Sequence, residues 1–186
     1  MSGPTLNRVV ADFTCEATGG KNIRLKDLRG KNVVIYFYPK DSTPGCTQEG
    51  LDFKELSAKF RRQNTVIFGV SRDSIASHEK FRAKQGFPFD LLSDPDEKLC
   101  KAFDVIHEKT LYGRKFMGVV RSTFLIDKDG KLAGLIFDGN IHSISGAYWF
   151  DSKRNRSVAV HPAIILETLD KVYEADHLVD ELAVVN

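Results

Sequence analysis

Six consecutive apolar residues, Val33-Val34-Ile35-Tyr36-Phe37-Tyr38, run without a polar break into Pro39. A β-branched and aromatic run with no polar face describes a strand covered on both sides, which only a sheet held between two layers supplies. Pro39 ends it, because proline has no N–H for the ladder. Thr43-Pro44 then opens a helical pattern in which Cys46, Gly50, Phe53, Ser57 and Phe60 recur on one side. Thr43 is the expected N-cap, and Pro44 takes the first helical position, where a missing N–H costs nothing.

The alternation continues. Thr65–Val70 is the next strand, Ser71–Ser74 are cap-type residues, and a helix through Ile75, Phe81 and Gln85 stops at Gly86. Phe89–Leu92 is a short strand. Asp94-Pro95-Asp96-Glu97 has the capping acid, the proline and the glutamate three residues on that open a helix through Cys100 and Phe103. Thr123–Ile126 and Lys131–Phe137 pair through Asp127-Lys128-Asp129-Gly130, a hairpin turn in which glycine supplies a positive φ. Residues 138–160, with their breakers and the Tyr148-Trp149-Phe150 cluster, are expected to be a long inserted loop. A C-terminal helix from Pro162 through Ile165, Leu166, Leu169 and Val172, and a tail, fill 161–186. The expectation is an α/β fold with a mixed central sheet flanked by helices, and 186 residues make it a single domain over 1–186.

Composition removes several function classes. A formal net charge of +2 argues against nucleic acid or an anionic membrane as partner. No apolar run approaches the roughly 20 residues of a membrane span, and MSGPTLNRVV has no signal-peptide core, so the expected address is cytoplasmic. Three cysteines, Cys15, Cys46 and Cys100, fit neither a disulfide framework nor a zinc site built on close pairs, which leaves free thiols.

Of the three, Cys46 stands where chemistry is favoured. A cysteine in a helix's first turn, at the carboxyl edge of a central strand, faces unsatisfied N–H groups and the positive end of the helix dipole, both of which favour thiolate. Spacing alone leaves two readings open: a reactive thiolate with Thr43 beside it, or a buried cysteine with Thr43 serving only as a cap.

The residues from Pro39 to Thr47, Pro-Lys-Asp-Ser-Thr-Pro-Gly-Cys-Thr, carry the P-x-x-x-T-x-x-C signature, and the chain resembles the peroxiredoxins, in the form of the bacterioferritin comigratory protein or peroxiredoxin Q subfamily. Ala11-Asp12-Phe13, Leu25–Lys31, Gly69-Val70-Ser71, Leu92-Ser93-Asp94 and Arg121–Gly130 fall in family order, so the similarity spans roughly residues 8–137. The resemblance implies a thioredoxin-like fold and a thiol peroxidase that needs no metal or organic cofactor. Cys46 would be the peroxidatic cysteine, Pro39 and Thr43 its pocket, and Arg121 the guanidinium beside the thiolate. Substrates would be hydrogen peroxide and organic hydroperoxides, and the reductant a thiol such as thioredoxin, glutaredoxin or glutathione. The chain would be a monomer or a homodimer.

There are departures. The family's two usual resolving positions hold Leu51 and Arg82, Ala11 stands where a proline is usual, and the 138–160 stretch is longer than the family's link. A one-cysteine cycle is therefore expected, with Cys100 as an alternative resolving residue or else a packed helix residue beside Leu99, Ala102 and Phe103. Glu49, one turn after Cys46, either pairs with Arg121 or lies on a solvated face. A dithiol oxidoreductase would need cysteine at Glu49, and a cysteine phosphatase would need arginine at Asp52. A catalytically silent thioredoxin-like interaction module is the remaining alternative.

Overall fold

The computed structural model describes residues 3–111, 113–137, 140–144 and 162–170. Strands β1 (Thr14–Ala17), β2 (Lys21–Arg24) and β3 (Asn32–Phe37) lead into helix α1 (Pro44–Arg62). β4 (Thr65–Ser71), α2 (Ile75–Gln85), β5 (Asp90–Ser93) and α3 (Lys98–Ala102) follow. Then come β6 (Ile106–Leu111), β7 (Arg114–Val119), β8 (Ser122–Ile126), β9 (Leu132–Phe137), β10 (Asn140–Ile144) and a helix, α4, over 162–170. The main sheet has the order β10-β9-β8-β3-β4-β5-β1-β2. β3, β4 and β5 are parallel, and β8 joins β3 antiparallel, so the sheet is mixed as expected.

β3 is buried along its whole length, and its alternation divides the interior into two halves. Val33, Ile35 and Phe37 pack with Leu99, Cys100, Phe103 and Phe124 on one face. Val34, Tyr36 and Tyr38 pack with Cys46, Phe53, Phe60 and Phe81 on the other, the side covered by α1, α2 and α4. Tyr36 stacks on Phe53 with ring centroids 4.5 Å apart. Gly69, opposite Tyr36 in the parallel register, leaves the space for that ring: a Cβ there would sit 2.6 Å from the Tyr36 ring.

Two expectations need correction, and one hairpin has no counterpart among them. α3 begins later than its capping residues indicate, because Glu97 takes a left-handed φ of 59° and the helix proper starts at Lys98. Asp94 still caps it from a turn away, accepting from the backbone N–H groups of Leu99 and Cys100 at 3.1 and 2.7 Å. The hairpin β6–β7 was not anticipated: its strands are largely solvent-facing and lack the apolar alternation that marks a half-buried strand. Within the expected 138–160 loop, Asn140–Ile144 is a strand antiparallel to β9, and the two residues between them are Asp-Gly, a pair that favours hairpins. The rest of that stretch, Val172 and the tail lie outside the described residues. Among those described, no helix is long and apolar enough to cross a membrane.

Candidate active site

The strand that constrains the fold also places the site. After Phe37 the chain stays on the sheet for one more bond, Tyr38 N–H to the Val70 carbonyl at 3.0 Å, and then turns away at Pro39. Ser42 takes a φ of +59°, and Thr43 returns to extended backbone as the N-cap of α1. Pro44 fills the first helical position as anticipated, which puts the backbone N–H of Cys46 among those with no partner four residues back. Cys46 is buried, and Pro39 and Thr43 are half-buried on the loop that leads to it. The Thr43 side chain does not cap the helix: its hydroxyl donates to the Lys40 carbonyl at 3.1 Å. That bond braces the loop and leaves the hydroxyl oxygen free to accept.

Arg121 reaches the sulfur from the far side of the sequence. It follows β7 and precedes β8, the neighbour of β3, so strand pairing delivers it to the carboxyl end of β3, where α1 begins. Its Nη2 donates to Cys46 Sγ at 3.4 Å, and its Nη1 pairs with Glu49 Oε2. Glu49 is buried under the guanidinium and bonded to it, so it does not lie on a solvated face. Burial pushes the Glu49 carboxyl up, to about 8, with Arg121 pulling it back. For Arg121 burial works against the charge, but Glu49 and the Cys46 sulfur outweigh it and hold the guanidinium more firmly charged than usual. Arg121 is thus the member of the pair that keeps its charge, and Glu49 the one that gives way.

The arrangement can hold a negative sulfur. A fixed guanidinium fork and a helix N-terminus converge on one buried thiol. The other two cysteines lie elsewhere. Cys15 on β1 and Cys100 on α3 belong to the opposite face of the sheet. Cys15 donates to the Ser93 carbonyl at 3.3 Å. Burial, aided by Asp94, pushes the Cys15 thiol up to about 12 and that of Cys100 higher still.

A group beside the site escaped the sequence reading. Asp41, in the loop, is buried and bonded to His78 of α2 and to Tyr38. The available signal was His78 itself, three residues before Phe81 and so on the face that α2 turns to the sheet.

Comparison with known proteins bears on the fold and the family. The AhpC/TSA family model matches residues 6–134. A second model, Peptidase S46, matches residues 123–184, about a third of the chain, where it overlaps β8 of the sheet that the first model covers. Peroxiredoxin Bcp of Xanthomonas campestris pv. campestris is 54% identical over 121 residues, 65% of this chain and 76% of that protein. Peroxiredoxin Bcp of Bacillus subtilis is 48% identical over 121 residues, 65% of this chain and 77% of that one. A solved structure of Xanthomonas campestris peroxiredoxin Q aligns with a TM-score of 0.74 at 42% identity, over 90% of this chain and 96% of that chain. With more than two thirds of its length matched by one family model and its fold shared with a solved relative, this chain belongs to the AhpC/TSA family and is a peroxiredoxin, a thiol peroxidase of the Bcp and peroxiredoxin Q kind.

Proposed function

We propose that Cys46 is the peroxidatic cysteine and that it works in a one-cysteine cycle on hydrogen peroxide and organic hydroperoxides. The observation that carries the assignment is the Arg121 Nη2 donation to Cys46 Sγ at 3.4 Å. The Cys46 thiolate attacks the distal oxygen of R–O–O–H, an S–O bond forms as the O–O bond breaks, and the alkoxide leaves as R–OH after taking a proton. Sulfur is oxidised to sulfenic acid and the peroxide is reduced. Charge moves from sulfur to the departing oxygen during this displacement, and Arg121 can donate to both ends. The Thr43 hydroxyl and the Cys46 backbone N–H would orient the peroxide, with Pro39 limiting water at the sulfenic acid. Organic hydroperoxides are included because a solved relative, the Xanthomonas campestris bacterioferritin comigratory protein, is described for its alkyl peroxide reduction activity, at 41% identity and a TM-score of 0.74 over 90% of this chain and 96% of that chain.

Two further thiols close the cycle. The first takes the sulfenic oxygen off as water and forms a mixed disulfide, and the second releases Cys46 and leaves as the oxidised donor. An external donor such as thioredoxin, glutaredoxin or glutathione is proposed because no second cysteine stands on the Cys46 side of the sheet among the described residues. The Xanthomonas peroxiredoxin Q has been solved with serine in place of each of two cysteines, and their spacing, counted from Cys46, falls on Arg82 here. Arg82 instead ties α2 to the start of β5, donating to the Phe89 carbonyl at 2.9 Å and pairing with Asp90 at 3.3 Å.

Peroxide consumption with each thiol donor in turn, on the wild type and Cys46→Ser, tests the reading. Loss of turnover in Cys46→Ser is expected. A Cys46→Ser protein that still consumes peroxide at the wild-type rate overturns it.

A further inference from the structure

We propose that His78, acting through Asp41, is a positioning residue for the peroxide step: the pair fixes the loop from Pro39 to Thr43 and thereby holds Cys46 against Arg121. The inference rests on the assignment of Cys46 above and goes beyond it to a residue on a different helix.

Asp41 lies midway between Pro39 and Thr43, and its backbone N–H and both carboxylate oxygens are tied to structure outside the loop. Its backbone N–H donates to Asp73 Oδ2 at 2.9 Å. Its carboxylate accepts from Tyr38 Oη at 2.7 Å, from Ser77 Oγ at 2.7 Å and from His78 Nδ1 at 2.9 Å. His78 is fully buried, and its other ring nitrogen, Nε2, lies 3.0 Å from the Leu92 carbonyl of β5. Both ring nitrogens therefore face acceptors. The ring thus bridges the sheet to a carboxylate in the reactive loop, and a hydrogen bond to a carboxylate is stronger than one between neutral groups.

The residue after Asp41 shows what the bridge has to hold. Ser42 has a φ of +59°, a left-handed conformation that a non-glycine residue occupies at a cost, and such positions persist only where the surroundings over-determine them. The left-handed residue reverses the chain so that Thr43 enters α1 in extended form and Cys46 falls in the first turn. Releasing Asp41 would let Ser42 relax, swing the start of α1 and loosen the sulfur from Arg121. Misplacement of a reacting group by an ångström costs on the order of 10²-fold in rate, so a modest loosening is readable in kinetics.

Three substitutions separate positioning from packing. His78→Asn keeps a donor where Nδ1 meets Asp41, His78→Gln places its donor where Nε2 meets Leu92, and His78→Phe keeps the ring without either. The reading is the second-order rate at which hydrogen peroxide oxidises Cys46 in a single turnover, followed by rapid-quench mass analysis. It is set beside the rate of Cys46 alkylation by iodoacetamide, both scaled to the folded fraction. His78→Phe and His78→Gln are expected to lose about tenfold or more in both rates, and His78→Asn to stay within about threefold of wild type. If His78→Phe does not fold, the Asn and Gln pair makes the same comparison. Wild-type rates in His78→Phe, or equal losses in the Asn and Gln proteins, overturn the inference. Cys46→Ser, run alongside, keeps the two readings apart: if it is inert while His78→Phe matches wild type, only the positioning role fails.

Discussion

Cys46 and Cys100 are packed on opposite faces of one sheet, Cys46 with Tyr36, Tyr38 and Phe53 and Cys100 with Phe37, Phe103 and Val105. A disulfide needs Cα atoms within about 7 Å, and β3 with its two layers of side chains stands between these two. Treatment with one equivalent of peroxide and no reductant is therefore expected to leave the chain as a sulfenic acid with no internal disulfide. Excess peroxide should carry it to sulfinic acid. Intact-mass analysis distinguishes these, and Cys15→Ser and Cys100→Ser should turn over as the wild type does. A Cys46–Cys100 linkage would mean that α3 or the first turn of α1 unfolds during the cycle.

Arg121 offers two nitrogens in a fixed plane, one to sulfur and one to Glu49, and lysine offers a single point charge. Arg121→Lys is expected to lower the peroxide-step rate by about 10²-fold, as loss of an oxyanion donor does, with melting temperature little changed. Rapid-quench kinetics under excess thiol would show it. An Arg121→Lys enzyme at full rate would reduce the contact with Cys46 to packing.

Much of this was legible before the structure, for a physical reason. β3 and the start of α1 are specified by local chemistry, a doubly buried strand and a proline at the first helical turn, so Cys46 could be placed from spacing. The family motif then supplied Arg121, which no local rule reaches because it arrives by strand pairing between β3 and β8. The Asp41–His78 bridge was hidden for the same reason: two polar residues 37 apart meet only once α2 is laid on the sheet. β6–β7 left no apolar signature to read, and the late start of α3 came from a left-handed Glu97 that its capping acid does not encode.

Asp41 links the reactive loop to acid stability. Burial alone would raise its carboxyl, but bonds from His78 and Tyr38 outweigh that and hold it below its ordinary 3.8. A group with a depressed folded value stabilises above the unfolded value and loses that contribution as pH falls through the folded one. Urea midpoints measured from pH 6 down to 2.5 should drop below about pH 4 in the wild type and fall less steeply in Asp41→Asn. Parallel curves would remove Asp41 as a source of the acid limb.

Gly69 tests the packing under the site. A Cβ at this position would lie 2.6 Å from Tyr36 and 2.8 Å from Leu91 Cδ2, inside a buried parallel strand. Overpacking of this kind costs about 1–3 kcal/mol, so Gly69→Ala should lower the stability by that amount, read as a lower urea midpoint with an unchanged slope. A neutral substitution would mean that Tyr36 has somewhere to move.

Glu49 makes the most discriminating pH experiment, because its charge and its bond to Arg121 can be separated. Burial lifts its carboxyl from the ordinary 4.5 to about 8, so between those values the folded chain holds a proton that the unfolded chain has released. Stability from this group is complete below about 4.5 and declines as pH rises to about 8. The same proton matters to chemistry. While Glu49 is neutral, Arg121 is the site's uncompensated cation and serves the Cys46 thiolate. Once Glu49 ionises, two anions share one guanidinium. Glu49→Gln imitates the neutral form and keeps an amide oxygen to accept from Arg121, and Glu49→Ala keeps neither. At pH 7 the Gln protein is expected within about threefold of the wild-type peroxide-step rate, and the Ala protein about tenfold or more below it. Between pH 7.5 and 9.5 the ratio of wild type to Gln should fall, and between about 4.5 and 8 the slope of stability against pH should flatten in the Gln protein. Rapid-quench rates over the first range and urea midpoints over the second supply the two readings. A Gln protein as slow as Ala at pH 7 would mean that the working partner of Arg121 is the carboxylate, and that Glu49 is ionised well below 8.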